Sequence, residues 1–183
     1  MLYTKNMLEL SSNTIKVIGI FGRLSDEQEA FFDSLEKKYS KKPTGNEYDI
    51  FRHLTLSFAN DATVSDVREQ LELLKSLKQF LPLKLKVNAA FVKDEEFLPG
   101  AEHIAINFGL EQTTELVDFV KSKVGFKAVA TWYIKVVWFV PKEKQQIVIE
   151  ELSELKELEF IDFYLVSNKQ NDENTIFTTN QFY

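Results

Sequence analysis

Two segments of this chain, residues 50–60 and 129–140, alternate between apolar and polar residues with the two-residue period of a β-strand. In the first segment one face carries Leu54, Leu56 and Phe58, and the other carries Phe51, His53, Thr55 and Ser57. In the second segment one face carries Ala130, Trp132, Ile134, Val136, Trp138 and Val140, and the other carries Thr131, Tyr133, Lys135 and Val137. Each strand therefore has an apolar face that must be covered and a face that can meet a ligand.

Helix and strand patterns alternate along the chain in the order β-α-β-α-β-β-α-β-α-β, which predicts an α+β fold. Strands are predicted over residues 15–22, 50–60, 83–92, 103–109, 129–140 and 160–166, and helices over residues 25–39, 65–80, 112–124 and 142–158. A capping box of Ser25 and Gln28 begins the first helix, Ser65 caps the second, and Gly125 ends the third. The recurrence of strand, helix and strand predicts two similar lobes in one domain over residues 1–183, with a loose tail over residues 167–183.

The composition excludes several kinds of site. The chain has 183 residues and no Cys, which excludes disulfides, thiolate metal sites and a Cys nucleophile. Only two His are present, so a three-His zinc site is also excluded, and we expect neither a metal nor another cofactor. The net charge of −6 is unlike that of a protein that coats nucleic acid. Because we find no signal-peptide pattern and no apolar run long enough to cross a bilayer, we expect a cytoplasmic protein with no membrane partner.

The polar strand faces are the best candidates for a binding site. His103 and Asn107, on the strand over residues 103–109, add to the polar groups on the two longer strands. If these faces meet, they form a cleft that is rich in hydrogen-bond donors and suited to an anion such as phosphate. The alternative is structural, because antiparallel sheets often have one solvated face and a lone His on a strand is often a packing residue.

The run His53-Leu54-Thr55-Leu56-Ser57-Phe58 resembles the first signature of the 2H phosphoesterase superfamily, which includes 2′-5′ RNA ligase-like proteins and cyclic phosphodiesterases. That signature is His-x-Thr/Ser-x on a strand, with apolar residues at the x positions. The likeness in element order extends from about residue 15 to residue 166. It implies a two-lobed fold whose antiparallel sheets line a central groove, with the helices on the outside.

The second signature of that family is altered in this chain. Element order puts Tyr133-Ile134-Lys135-Val136 at the equivalent strand, so that Tyr133 stands in place of His and Lys135 in place of Thr. The other candidate is His103-Ile104-Ala105-Ile106, which keeps the His but has Ala instead of the hydroxyl residue. We hold His103 in reserve because element order favours Tyr133.

The resemblance also implies roles for these residues. In the family two His transfer the protons, hydroxyl residues bind the phosphate, and no metal is needed. His53 would match one catalytic His, and Thr55 would bind phosphate. Tyr133 could donate a proton, although a phenol is a much weaker acid than an imidazolium, and Lys135 could hold phosphate as a point charge. The implied partner is a nucleotide or the phosphate of an RNA end.

Three functions remain open from the sequence. The first is a metal-independent phosphodiesterase acting on 2′,3′-cyclic phosphates or RNA ends in the manner of 2′-5′ RNA ligase-like proteins, which the retained His53 motif favours. The second is an inactive protein that binds nucleotides or RNA ends, which Tyr133 and Lys135 favour. The third is an interaction protein in which His53 is structural. Trp132 and Trp138 are predicted to be core residues, and the oligomeric state is open.

Overall fold

The computed structural model describes residues 15–41, 52–94, 102–130, 132–169 and 179–182. Its strands are β1 (Ile15–Leu24), β2 (Leu54–Ala62), β3 (Leu83–Lys86), β4 (Ala89–Asp94), β5 (Glu102–Asn107), β6 (Tyr133–Val137), β7 (Glu157–Lys169) and β8 (Thr179–Phe182). Its α-helices are α1 (Asp26–Tyr39), α2 (Val64–Leu77), α3 (Thr114–Val124) and α4 (Lys142–Leu152). Short 3₁₀ turns at Lys78–Phe80, Leu110–Gln112 and Gly125–Lys127 adjoin α2 and α3.

The strands form two antiparallel sheets. The first sheet has the order β2-β1-β7-β3, with β8 also paired to β7, and the second has the order β4-β5-β6. In each sheet the strand that carries a signature segment, β2 or β6, pairs with one neighbour that runs antiparallel to it. The predicted α+β class and the antiparallel sheets are therefore confirmed.

The helices join the two sheets. Helix α2 packs on β1 and β7 of the first sheet, and α4 packs on β4 and β5 of the second. Helix α1, which follows β1, contacts β6 in the other sheet, and α3, which follows β5, contacts β2. A single buried cluster accordingly contains residues of both sheets, among them Ile18 and Leu54 from the first and Ile104 and Ile134 from the second. In the part of the chain that the structure describes, no helix is long and apolar enough to cross a membrane.

Several predicted strand boundaries were wrong. The run over residues 83–92 is not one strand, because β3 pairs with β7 in the first sheet while β4 pairs with β5 in the second. The segment 129–140 is regular only over β6, and Phe139, with a φ of 53°, takes a left-handed conformation that ends any extension of the strand. Alternation in a sequence does not reveal where the backbone leaves a sheet.

The helix caps also differ from the sequence prediction. The Ser25 side chain does accept a hydrogen bond from Gln28 N, but the Gln28 amide bonds to the backbone of β7 at Glu157 and Glu159 instead of closing a capping box. Helix α2 is capped by Thr63, not by Ser65, and its box is completed by Asp66. The prediction of Gly125 at the end of α3 agrees with its φ of 57°.

The tail is partly ordered into the first sheet. A loose segment was predicted over residues 167–183, but β7 continues to Lys169 and β8 pairs with it from Asn168↔Thr179 to Leu165↔Phe182. Residues 170–178 and 183 lie outside the described residues, as do residues 42–50, which include most of the predicted loop before β2.

A partly buried ion pair ties the start of α2 to the segment that follows α3. Lys127 bonds to Asp66 and, at 2.9 Å, to Glu69, and the side chains of Lys127 and Asp66 are 11% and 17% exposed. The hydrogen bond from Lys127, together with the backbone N–H of Thr63, lowers the pKa of Asp66 to about 2. Because this pKa is depressed in the folded state, the ionised Asp66 stabilises the fold above its unfolded pKa, and the contribution is lost as pH falls towards about 2.

We therefore expect Asp66→Asn to lower the free energy of unfolding by about 1–2 kcal/mol at pH 7 and by roughly half as much at pH 3, where the folded-state carboxyl is still largely ionised. Asn can still accept the capping hydrogen bond, so the loss isolates the charge. Urea unfolding of parent and variant at both pH values measures this difference. The matched control is Glu72→Gln, which removes the exposed pair with Lys75 and should change stability by less than about 0.5 kcal/mol. An equal effect of Asp66→Asn at both pH values would contradict the assignment.

Candidate functional site

The first signature strand contains a register shift at Leu56. On β1 the neighbours Ile20 and Phe21 pair with Ser57 and Thr55, so that Leu56 is an extra residue in β2, as in a β-bulge. The shift reverses the alternation beyond it. Thr55 keeps the predicted face, but Ser57 turns into the core, where it accepts a hydrogen bond from Ile20 N and donates one to Gln70. Phe58 turns outward in its place and is 39% exposed.

The second signature strand contains the same irregularity. On β5 the neighbours Ala105 and Ile104 pair with Lys135 and Val137, which makes Val136 the extra residue in β6. Val136 and Val137 are consequently both buried. Trp138 falls on the side of Lys135, whose ammonium lies 5.2 Å from the centre of the indole ring. The prediction that Trp138 belongs to the apolar face was wrong for this reason.

The two shifts fall at the same place in the two motifs. Leu56 is the fourth residue of His53-Leu54-Thr55-Leu56, and Val136 is the fourth residue of Tyr133-Ile134-Lys135-Val136. The first, third and sixth residues counted from the start of each motif share one cleft of about 440 Å³, which is lined by His53, Thr55, Phe58, Tyr133, Lys135 and Trp138 together with Val129, Ala130 and Ile134. Two strands with the same local distortion thus contribute to one cleft.

The carbonyl of each extra residue receives a hydrogen bond from the opposite half of the molecule. The Leu56 carbonyl accepts from Val129 N at 3.0 Å, and the Val136 carbonyl accepts from Arg52 Nε at 2.6 Å. A bulge leaves such a carbonyl outside the regular ladder, and a buried carbonyl without a donor would be costly. These two bonds therefore hold the bulges and join the strands that carry them.

Arg52, which precedes His53 in the sequence, binds the Val136 carbonyl and also forms several ion pairs. Its side chain is only 7% exposed and makes ion pairs with three carboxylates of α1, to Glu29 at 2.9 Å, Asp33 at 2.7 Å and Glu36 at 3.0 Å. Burial lowers the pKa of the guanidinium, but the hydrogen bond to Asp33 and the charges of the neighbouring carboxylates raise that pKa by more. Arg52 thus fixes α1, the start of β2 and the bulge of β6 relative to one another.

The four residues of the first-choice prediction all line the cleft. His53 lies just before β2 and not within it, and its ring meets the Phe21 ring edge-on at 4.5 Å. His53, Thr55, Tyr133 and Lys135 are each half-buried, so that their side chains are held by the protein and still reach solvent. Thr131, predicted on the same face, lies outside the described residues.

The reserve candidate has a different environment. His103 is completely buried, with its ring 4.1 Å from that of Trp138 and 6.3 Å from that of Phe139. It does not line the cleft, and Trp138 packs against it. Within the described ranges, no three His, Asp or Glu side chains come together in a group that could hold a metal ion.

Sequence reasoning missed Arg52, Phe58 and Trp138. The bulges that bring the two aromatic residues into the cleft have no signal in the sequence. Arg52 had one, because Glu29, Asp33 and Glu36 follow the i, i+4, i+7 spacing of a single helix face. An acidic stripe of this kind indicates a cationic partner nearby.

Comparison with known proteins places this architecture. The fold is similar to that of Escherichia coli LigT in its complex with 3′-AMP, with a TM-score of 0.51 and 11% identity over 91% of this chain and 95% of that one. The mixed α+β fold with antiparallel sheets therefore matches that of LigT, and the likeness is one of fold alone. Two structures of Kluyveromyces marxianus Usb1, one of them with uridine monophosphate, align with a TM-score of 0.46 and 12% identity over 92% of this chain and 99% of that one. No protein-family model and no curated protein matches the sequence.

We expect Arg52→Met to lower the free energy of unfolding by about 2–4 kcal/mol, because it leaves three carboxylates and the Val136 carbonyl without their partner. Urea denaturation measures the loss. Arg23→Met is the matched control, since Arg23 pairs with Asp26 on the surface and its removal should cost less than about 0.5 kcal/mol. Equal stabilities of the two variants would show that the Arg52 network does not hold the cleft together.

Proposed function

We propose that this chain is a metal-independent phosphodiesterase of the 2H type that acts on cyclic phosphates or RNA ends. The observation that carries the proposal is that His53 and Thr55 line one cleft together with Tyr133 and Lys135, at equivalent positions beside the two bulges. A site for phosphodiester hydrolysis needs a proton acceptor, a proton donor and groups that bind the phosphoryl oxygens. The four side chains provide these types of group.

The proposed reaction begins with a water molecule in line with the bond that breaks. His53 takes a proton from this water as the water oxygen attacks phosphorus, because a neutral imidazole is a suitable base near neutral pH. The bond between phosphorus and one ribose oxygen of a 2′,3′-cyclic phosphate then breaks. The Tyr133 hydroxyl gives its proton to that oxygen and regains one from solvent, while the proton taken up by His53 passes to solvent. The products are a phosphate monoester and a free ribose hydroxyl.

Thr55 and Lys135 hold the phosphoryl group in this proposal. The Thr55 hydroxyl can donate one hydrogen bond, and the Lys135 ammonium supplies a positive charge where the reaction concentrates negative charge. The Trp138 ring beneath the ammonium limits the directions in which Lys135 can turn. A fixed cation of this kind stabilises a phosphoryl transition state without reorganising during the reaction.

The fold likeness supports a nucleotide as the ligand. The LigT structure with the similar fold is a complex with 3′-AMP. A nucleotide with a phosphate at its 3′ position has the group that we assign to Thr55 and Lys135. The proposed ligand of this chain is therefore a nucleotide or the phosphate-bearing end of an RNA strand.

A second candidate is a protein that binds the same ligands without turnover. Tyr133 favours it, because a phenol is a poorer proton donor than the imidazolium it replaces. Lys135 would still hold the phosphate. The two candidates share the cleft and differ only in whether the product forms.

Catalysis is tested by measuring the hydrolysis of a 2′,3′-cyclic nucleotide to a nucleotide with a phosphate monoester. We expect weak activity in the parent and a loss of about 10²–10⁴-fold in His53→Ala, the usual contribution of a positioned acid or base. The double variant Tyr133→His with Lys135→Thr restores the second signature and should be faster than the parent. His103→Phe preserves ring packing against Trp138 and should leave the rate unchanged. No turnover by the parent or by the double variant, with tight nucleotide binding, would favour the binding protein.

Phosphate binding is tested separately by titration of a 3′-nucleotide at low and high salt. The affinity should fall as salt rises, because the main attraction is between an ammonium and an anion. Lys135→Ala should weaken binding about 10-fold or more at low salt. Lys75→Ala removes the same charge from an exposed position on α2 and should have no effect. Binding that is indifferent to both salt and Lys135 would contradict the assignment of the phosphate site.

A further inference from the structure

Residues of three strands form a row across the cleft face of the second sheet. Lys135 on β6 pairs with Ala105 on β5, and Ala105 pairs with Phe91 on β4. Paired residues project to the same face, so Phe91 stands on the face that carries Lys135. Neighbouring strands lie about 4.8 Å apart, which puts the backbones of Phe91 and Lys135 about 10 Å from each other.

Phe91 belongs to a cluster of aromatic rings at the edge of the cleft. The rings of Phe91 and Trp132 are stacked, with 5.6 Å between centres and an angle of 9° between planes. Tyr133 meets both rings edge-on, at 4.7 Å from Trp132 and 6.0 Å from Phe91, and itself lines the cleft. The Trp132 carbonyl accepts a hydrogen bond from Phe108 N at 3.1 Å, which anchors the cluster to the end of β5. We call Phe91, Trp132 and Tyr133 the aromatic shelf.

The first sheet has an equivalent row, but its aromatic residues are more deeply buried. Thr55 pairs with Phe21, and Phe21 pairs with Tyr164. Phe21 is only 6% exposed, and burial raises the pKa of Tyr164. Trp132 is by contrast 37% exposed, although sequence alternation assigned it to the core. The solvent-exposed aromatic surface therefore lies beside the second signature, Tyr133-Ile134-Lys135-Val136.

We propose that the aromatic shelf binds a nucleobase of the strand whose phosphate lies at Thr55 and Lys135, so that the ligand class is a single-stranded nucleic acid end and not a phosphorylated sugar. The inference rests on the proposed phosphate site and adds the group that the cleft recognises beside the phosphate. Every base has a flat π-face, and stacking on an aromatic side chain is the usual way in which single strands are bound without sequence preference.

The charges near the shelf fit a nucleic acid better than an apolar peptide. Lys93 follows Phe91 by two residues on β4 and therefore projects to the same face. Lys135 lies across the sheet from Phe91, so that cationic groups stand on two sides of the aromatic surface. Basic and aromatic side chains that alternate on one sheet face are suited to a strand with bases and phosphates in alternation.

The experiment compares two oligonucleotides that carry the same charge. Both are fluorescein-labelled RNA hexamers with a 3′-phosphate, and one of them is abasic at its 3′-terminal nucleotide. Fluorescence anisotropy measures the affinity of the 183-residue chain for each. We expect the parent to prefer the base-bearing strand by about 5- to 100-fold, the range that base–aromatic stacking supports. Trp132→Ala should remove most of this preference while leaving the affinity for the abasic strand unchanged.

Phe91→Ala should reduce the same ratio and serves as the second variant if Trp132→Ala fails to fold. Ile147→Ala is the matched control, because Ile147 is an exposed apolar residue of α4. Equal binding of both strands by the parent would overturn the shelf and leave the phosphate site standing. A uniform loss of affinity for both strands in Trp132→Ala would show that the ring is only structural. No binding of either strand by the parent would overturn the proposed phosphate site and the shelf with it.

Discussion

The ion pairs of Arg52 are the interaction on which the cleft depends. A guanidinium that is 7% exposed has lost most of its hydration and persists only because the carboxylates of α1 and the Val136 carbonyl surround it. His53 follows Arg52 in the sequence. The carbonyl that Arg52 binds belongs to Val136, which follows Lys135. The same contacts that compensate the buried charge therefore fix the distance between the two signature strands. Val129, whose N–H bonds to the Leu56 carbonyl, makes the reciprocal link from the other side.

The two bulges determine which side chains face the cleft. In a regular strand Thr55 would share its face with Ser57, and Lys135 would share its face with Val137. One extra residue in each strand sends Ser57 and Val137 into the core and brings Phe58 and Trp138 to the polar face. Each motif thus contributes its first and third residues to the cleft together with the aromatic ring of its sixth residue, Phe58 or Trp138. A strand distortion of this kind re-aims side chains beside a site, as bulges commonly do.

The sequence predicted the four helices, most of the strands and the antiparallel α+β fold, and it raised the hypothesis that the His53 and Tyr133 segments line one cleft. Those features depend on apolar periodicity, which is local and strong. It did not predict the division of residues 83–92 between two sheets or the solvent exposure of Trp132, because both depend on which strand lies alongside. The partners of Arg52 could have been predicted from the acidic stripe on α1, whereas the bulge carbonyl that it binds has no counterpart in the sequence.

The central claim is that two bulged strands hold one phosphate between them. A crystal structure of the protein with a 3′-nucleotide tests it most directly. We predict a phosphate within hydrogen-bond distance of Thr55 Oγ1 and Lys135 Nζ, with His53 and Tyr133 on opposite sides of it. A nucleotide bound elsewhere on the protein, with the cleft between β2 and β6 open and empty, would contradict the account.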